Sequence, residues 1–178
     1  PSSPHNIRSP EQLKDFTKCL QDLSPDPLII GIDQEGGKVN RLKKNYGFKD
    51  STSMAAIGDI DDLERTATES NRTVQTLKEC GINLNFSPVL DLNITKENII
   101  TAKERAISSN PKTVTNHARI IINCHHENNV IAVGKHFPGQ GSSIGDTHEG
   151  WVDVTNSWSK EELIPYKNLI DSNDILAV

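Results

Sequence analysis

The sequence has 178 residues, 34% of them hydrophobic and 24% charged, with a formal net charge of −5. This is the composition of one globular domain with a substantial core, not of a disordered chain. Apart from a short RLKKNYGFK cluster at 41–49 the cations are scattered, which argues against a nucleic-acid partner, and no apolar run approaches the ~18 residues of a membrane helix.

The opening PSSPHNIRSPEQ carries no basic-then-apolar signal pattern. SPEQLKDFTKCLQDL then reads as a helix: Ser9 caps it, Pro10 suits its first turn, and Leu13, Phe16, Leu20 and Leu23 share one face. Pro27 to Ile32 is a short continuous apolar run, the pattern of a strand covered on both faces. A helix is predicted from about Asp59 to Cys80, stopped by Gly81. INLNFSPVLDL is the second strand region. Asn110-Pro111 opens a helix that runs to about Glu127, and VIAVG is the third strand. SKEELIPYKNLI is the last helix, with Ser159 and Glu162 spaced as a capping box, and ILAV begins a fourth strand.

The three cysteines, Cys19, Cys80 and Cys124, all fall in helical segments without C-x-x-C spacing. They read as buried reduced thiols, which tilts localisation toward the cytoplasm while leaving periplasm and surface anchoring open.

Strands alternating with helices predict a parallel α/β fold. Two architectures compete, a doubly wound open sheet and a (β/α)8 barrel. Asp33 and Glu35 follow the first strand, Asp91 the second, and Lys135 and His136 the third. Chemistry spread over the C-terminal ends of several strands is a barrel trait, whereas an open sheet gathers it at one switch point. A whole barrel needs about 250 residues. The expectation is therefore a partial TIM-type barrel of about four strand–helix units, residues 1–178 forming one domain truncated at both ends.

Two loops carry proton-transfer and charged groups. In IGIDQEGGKVNRL, Asp33 and Arg41 can grip neighbouring hydroxyls or a carbonyl from two sides, and Gly36-Gly37 permits close backbone approach; an ordinary turn with an internal ion pair is the competing reading. In GKHFPGQGSSIGDTHEG, Lys135 and His136 leave the strand together, and Asp146 lies two residues from His148. A carboxylate beside an imidazole can hold it for proton exchange near neutral pH. The competing reading is a solvated glycine-rich loop in which acid and base never meet. GQGSSIGD lacks the G-K-[ST] ending of a phosphate loop. The run CHHE at 124–127 points its side chains in different directions on a helix, so no metal or other cofactor is expected. Asn71 and Asn93 open glycosylation sequons of the kind that occur by chance.

GIDQEGGKVNRL, NFSPVLDL, GKHFPGQG and GDTH, in this order, resemble the N-terminal barrel of family 3 glycoside hydrolases, and most closely its β-N-acetylglucosaminidase branch. The resemblance spans about Asn6 to Val178. It implies that Asp33, Arg41, Arg105, Lys135 and His136 bind the sugar. It implies further that His148 is the general acid/base, supported by Asp146, in a retaining hydrolysis of terminal β-N-acetylglucosamine. The β-glucosidases of the family take their acid/base carboxylate from elsewhere. The family nucleophile falls beyond Val178, so the isolated chain is expected to show no turnover. Gln140 stands where the family often has histidine, and carries no catalytic assignment. The implied partner is a carbohydrate, with self-association through the open barrel edge as a second expectation. The alternatives are an inactive sugar-binding remnant, a phosphorylase or β-glucosidase of the same family, and an unrelated lyase or aldolase in which Lys135 forms a Schiff base.

Overall fold

In the computed structural model, residues 6–145 and 150–178 are described. Asp146 and His148 therefore lie outside the described residues. Three short strands, β1 (Gly31–Ile32), β2 (Leu84–Asn85) and β3 (Ile131–Ala132), form a parallel sheet in the order β1-β2-β3. Gly31 pairs with Leu84 and Leu84 with Ile131; Ile32, Asn85 and Ala132 form the next rung. A parallel bridge from Val133 to Ala177 brings up the fourth predicted strand beside β3. Every neighbour in space is thus a neighbour in sequence.

The helices are α1 (Pro10–Asp22), α2 (Met54–Ile60), α3 (Leu63–Glu79), α4 (Ile99–Ala102), α5 (Pro111–Glu127) and α6 (Ile164–Asp171). Their starts follow the sequence. Ser9 accepts from Gln12 N at α1, Asp62 from Glu64 N and Arg65 N at α3, and Asn110 from Lys112 N at α5. Each cap satisfies an orphan N–H and stabilises its helix by roughly 1 kcal/mol.

One face of the sheet carries the helices. Ile32 packs with Leu13 of α1 and Val74 and Leu77 of α3. Ala132 packs with Ile121 and Ile122 of α5 and Leu169 of α6. Burying each such Leu, Ile or Val contributes roughly 1.5–3 kcal/mol, so this layer supplies much of the cohesion. The opposite face is more open: Ile29, Gly31 and Phe86 are exposed, and Leu84 and Ile131 only half-buried.

Four expectations are corrected. The first strand is covered on one face only, and its ladder narrows to Gly31–Ile32. The helix expected over 59–80 is two helices. Asp61 adopts a left-handed φ of 48° that closes α2, and Asp62 caps α3, so adjacent aspartates end one helix and start the next. On α1 the buried residues are Leu13 and Thr17, while Phe16, Leu23 and the thiol-bearing Cys19 are exposed; only Cys80 and Cys124 are buried. Thr17 wins the inward position by donating to Cys80 O at 2.7 Å. Finally, Ser159 caps nothing with its side chain. Lys160–Leu163 is a 3-10 turn, and Glu162 turns inward instead, accepting from Gly141 N and Ser142.

Beneath the sheet, His125 of α5 donates through Nδ1 to Ile121 O at 2.7 Å, and its Nε2 lies 3.0 Å from Asn85 Nδ2. Burial pushes this imidazole down to about 4 from its usual 6.5. The folded state therefore keeps the ring neutral at pH values where the unfolded chain protonates it. Stability should be constant above about pH 6.5 and fall by on the order of 3 kcal/mol as the pH drops to about 4. Urea unfolding at several pH values checks this: a His125→Gln variant should lose that part of the slope, and an unchanged slope would contradict it.

Candidate active site

The candidate residues gather where β1, β2 and β3 end. Asp33 and Glu35 follow β1 directly. Glu35 is fully buried at its carboxylate and accepts from Arg105 twice, Nε at 2.7 Å and Nη2 at 2.8 Å. Lys135 Nζ lies 2.6 Å from Glu35 Oε1 and 2.6 Å from Asp33 Oδ1. One buried carboxylate thus ties two cations from the loops after β2 and β3. Burial alone opposes the Arg105 charge, but the hydrogen bonds to Glu35 and the carboxylates of Asp91 and Asp33 outweigh it and hold its proton more firmly than usual. Lys135 Nζ is occupied by two carboxylates, Asp33 and Glu35, which counts against the Schiff-base alternative.

His136 is fixed from both ring nitrogens. Nδ1 lies 2.6 Å from Asp91 Oδ2, and Arg105 Nη2 lies 2.9 Å from Nε2. Arginine can only donate, so the network assigns Nδ1–H and leaves Nε2 as acceptor. Asp91 is fully buried and also accepts from the backbone N–H groups of His136 at 3.2 Å and Gln140 at 2.9 Å. Asn98 holds the far end of this loop, donating to Gln140 O at 2.6 Å and Ser143 O at 2.7 Å.

Arg41 stands at the rim, 4.0 Å from Asp33 and half exposed. Its position comes from Gln34, whose Oε1 accepts from Arg41 N at 2.9 Å and Leu42 N at 3.1 Å. Gln34 N is held in turn by Asn85 of β2 at 3.0 Å. The two glycines of this motif serve the chain itself. A Cβ on Gly36 (φ +100°) would come 2.2 Å from Thr52 O, and one on Gly37 (φ +54°) 2.5 Å from Ser53 Cβ. The close backbone approach expected toward a ligand is an approach to the Ser51–Ser53 segment.

Asp33, Arg41, Arg105, Lys135 and His136 thus all line one cleft of about 720 Å³, together with Glu35, Phe86 and Gln140. A cleft of this size with a few convergent charged groups suits a polar small molecule. Among the described residues, no group of three His, Cys, Asp or Glu could hold a metal ion, and no helix is long and apolar enough to cross a membrane. Glu35 and Asp91 were legible as acids that follow strands, but nothing marked them as the groups that organise the site. Asn98 gave no sequence signal at all.

A parallel sheet with charged groups at its C-terminal end, set in loops that hold a sugar-sized cleft, defines a class of α/β enzyme scaffold. The chain belongs to the glycosyl hydrolase family 3 N terminal domain family, whose profile matches residues 2–178. It is 34% identical over 176 residues to a protein of Nitrosomonas eutropha named Beta-hexosaminidase, covering 94% of this chain and 49% of that protein. A Beta-hexosaminidase of Pseudomonas aeruginosa is 31% identical, with 96% of this chain and 51% of the relative covered. The chain thus spans about half the length of these relatives. Among solved structures, NagZ from Neisseria gonorrhoeae in complex with N-trifluoroacetyl-D-glucosamine superposes with a TM-score of 0.86 at 30% identity, over 97% of this chain and 52% of that one. A family 3 β-N-acetylglucosaminidase from Paenibacillus gives 0.84 at 28% identity, over 94% of this chain and 32% of that one.

Removing one partner from a buried ion network leaves the others uncompensated, at about 3–5 kcal/mol. Glu35→Ala should cost that much in denaturant unfolding, whereas Arg41→Ala, half exposed, should change stability by less than about 1 kcal/mol. Equal costs would contradict this account of the network.

Proposed function

We propose that this chain forms about four strand–helix units of a (β/α)8 barrel that removes terminal, non-reducing β-N-acetylglucosamine from glycans, bacterial cell-wall fragments among them. The observation that carries the reading is the convergence of Asp33, Arg41, Arg105, Lys135 and His136 on one cleft at the strand ends. The sheet order without reversal, the single helix-covered face and the half-length match to Beta-hexosaminidases support the barrel. In a doubly wound sheet, helices would cover both faces. The Neisseria relative, whose ligand is an N-acylated glucosamine, supports the substrate class.

In this reading Asp33 and Lys135 hold adjacent sugar hydroxyls as acceptor and donor, and His136 and Arg105 approach from the other side. A carboxylate supplied from beyond Val178 attacks the anomeric carbon. As the bond to the leaving oxygen breaks, His148, held by Asp146, gives that oxygen its proton. Water then attacks the same carbon, returns a proton to His148 and frees both sugar and carboxylate. The histidine–aspartate pair takes the place of the second carboxylate of the usual retaining scheme.

The test uses the full-length protein with the nitrophenyl glycosides of β-N-acetylglucosamine and β-glucose. The N-acetyl substrate should be strongly preferred, and His148→Ala should lower turnover of di-N-acetylchitobiose, whose leaving sugar oxygen needs a proton, by about 10²–10⁴-fold, the usual worth of a general acid/base. Equal use of both nitrophenyl glycosides, or disaccharide turnover indifferent to His148, would sink the proposal.

A further inference from the structure

We propose that Glu162 is a positioning residue for proton delivery: it holds the backbone that runs from the cleft toward Asp146, without touching the cleft itself. The inference rests on the assignment of His148 as proton donor.

Glu162 is completely buried, and among the described residues no cation pairs with it. Its carboxylate instead accepts from Gly141 N at 2.7 Å, from Ser142 N at 3.4 Å and from the Ser142 hydroxyl. Burying a carboxyl group is costly unless it is hydrogen-bonded, and converging N–H and O–H donors are what make it tolerable. An apolar residue would fill the same volume at less cost, so the buried polar group has to be explained by what it organises. What it organises is one turn of loop. The fit is close: a Cβ on Gly139 (φ +114°) would come 2.6 Å from Glu162 Cβ, and one on Gly141 would come 2.1 Å from Leu92 O.

The neighbours of Glu162 grip the same loop. Trp158 Nε1 donates to Pro138 O at 3.3 Å, and Phe137 meets Tyr166 edge to face with ring centroids 5.4 Å apart. Residues 158–166 therefore hold 137–142 at several points without lining the cleft. The anchors divide the work. Asp91 fixes His136 and Gln140 N, which face the cleft. Glu162 fixes Gly141 and Ser142, the next residues along, and Gly145 is tied to Asn98 by a parallel bridge just before Asp146. Loosening Glu162 should leave the sugar-facing groups in place and disturb the stem that leads to the proton donor.

Proton delivery matters most when the leaving group is poor, so leaving-group dependence separates misdirected catalysis from general damage. The experiment measures kcat/KM of the full-length protein on di-N-acetylchitobiose, whose sugar oxygen must be protonated, and on nitrophenyl β-N-acetylglucosaminide, whose phenolate leaves unaided. In Glu162→Gln the disaccharide value should fall about 10-fold or more and the nitrophenyl value less than about 3-fold. Ser142→Ala, which removes one donor and keeps the Glu162 side chain, should show the same bias more weakly, and decides the matter if Glu162→Gln does not fold. Equal losses on both substrates, or no loss on the disaccharide, would overturn the inference. His148→Ala run alongside separates the two failures. If it shows the bias and the Glu162 and Ser142 variants do not, this inference alone falls. If His148→Ala shows none, the proton-donor assignment falls and takes this inference with it.

Discussion

The site depends on one buried carboxylate. Glu35 sits directly after β1 and binds Arg105 from the loop after β2 and Lys135 from the loop after β3. Neither cation could be left in that half-buried position without a counter-charge, and Glu35 could not be buried without them. Three loops that are far apart in sequence are thereby locked into one constellation. The lock also sets the electrostatics: Arg105 points a donor at His136 Nε2, and Lys135 reaches Asp33. The rim is different in kind. Arg41 is half exposed and sits at the limit of ion-pair distance from Asp33, so it contributes reach rather than rigidity.

The sheet makes this arrangement cheap to maintain. Parallel strands in sequence order end on the same side, so the first residues after β1, β2 and β3 are neighbours without any long loop having to bridge them. Helices packed on one face fix the strands from behind, and buried polar links carry that order forward. His125 of α5 meets Asn85, Asn85 holds Gln34, and Gln34 holds the backbone of Arg41. Rigid secondary structure thus supports side chains whose placement must be good to fractions of an ångström for the proposed sugar chemistry.

Much of this was legible in the sequence. The alternation of elements, the helix starts at Ser9 and Asn110, and the cleft residues Asp33, Arg41, Lys135 and His136 emerged from pattern and from ordered motifs, and Arg105 from the family resemblance alone. What was not legible shares one physical cause: tertiary partners reassign residues whose local signal is ambiguous. Glu162 has capping-box spacing, yet two backbone donors from a loop twenty residues away draw it inward. Gly36 and Gly37 look like a ligand-binding turn, yet the segment at Ser51–Ser53 occupies the space they leave. Thr17 displaces Phe16 from the buried face of α1 because Cys80 O offers it a hydrogen bond. Local pattern cannot weigh partners it does not contain.

The most direct measurement is a crystal structure of the full-length protein with N-acetylglucosamine bound. The account predicts the sugar in the cleft after β1–β3, its hydroxyls within hydrogen-bonding distance of Asp33, Lys135 and His136, with the Glu35–Arg105–Lys135 ion network intact beneath it. A sugar bound elsewhere, or bound there only after Lys135 has left Glu35, would contradict the claim that this network pre-forms the site.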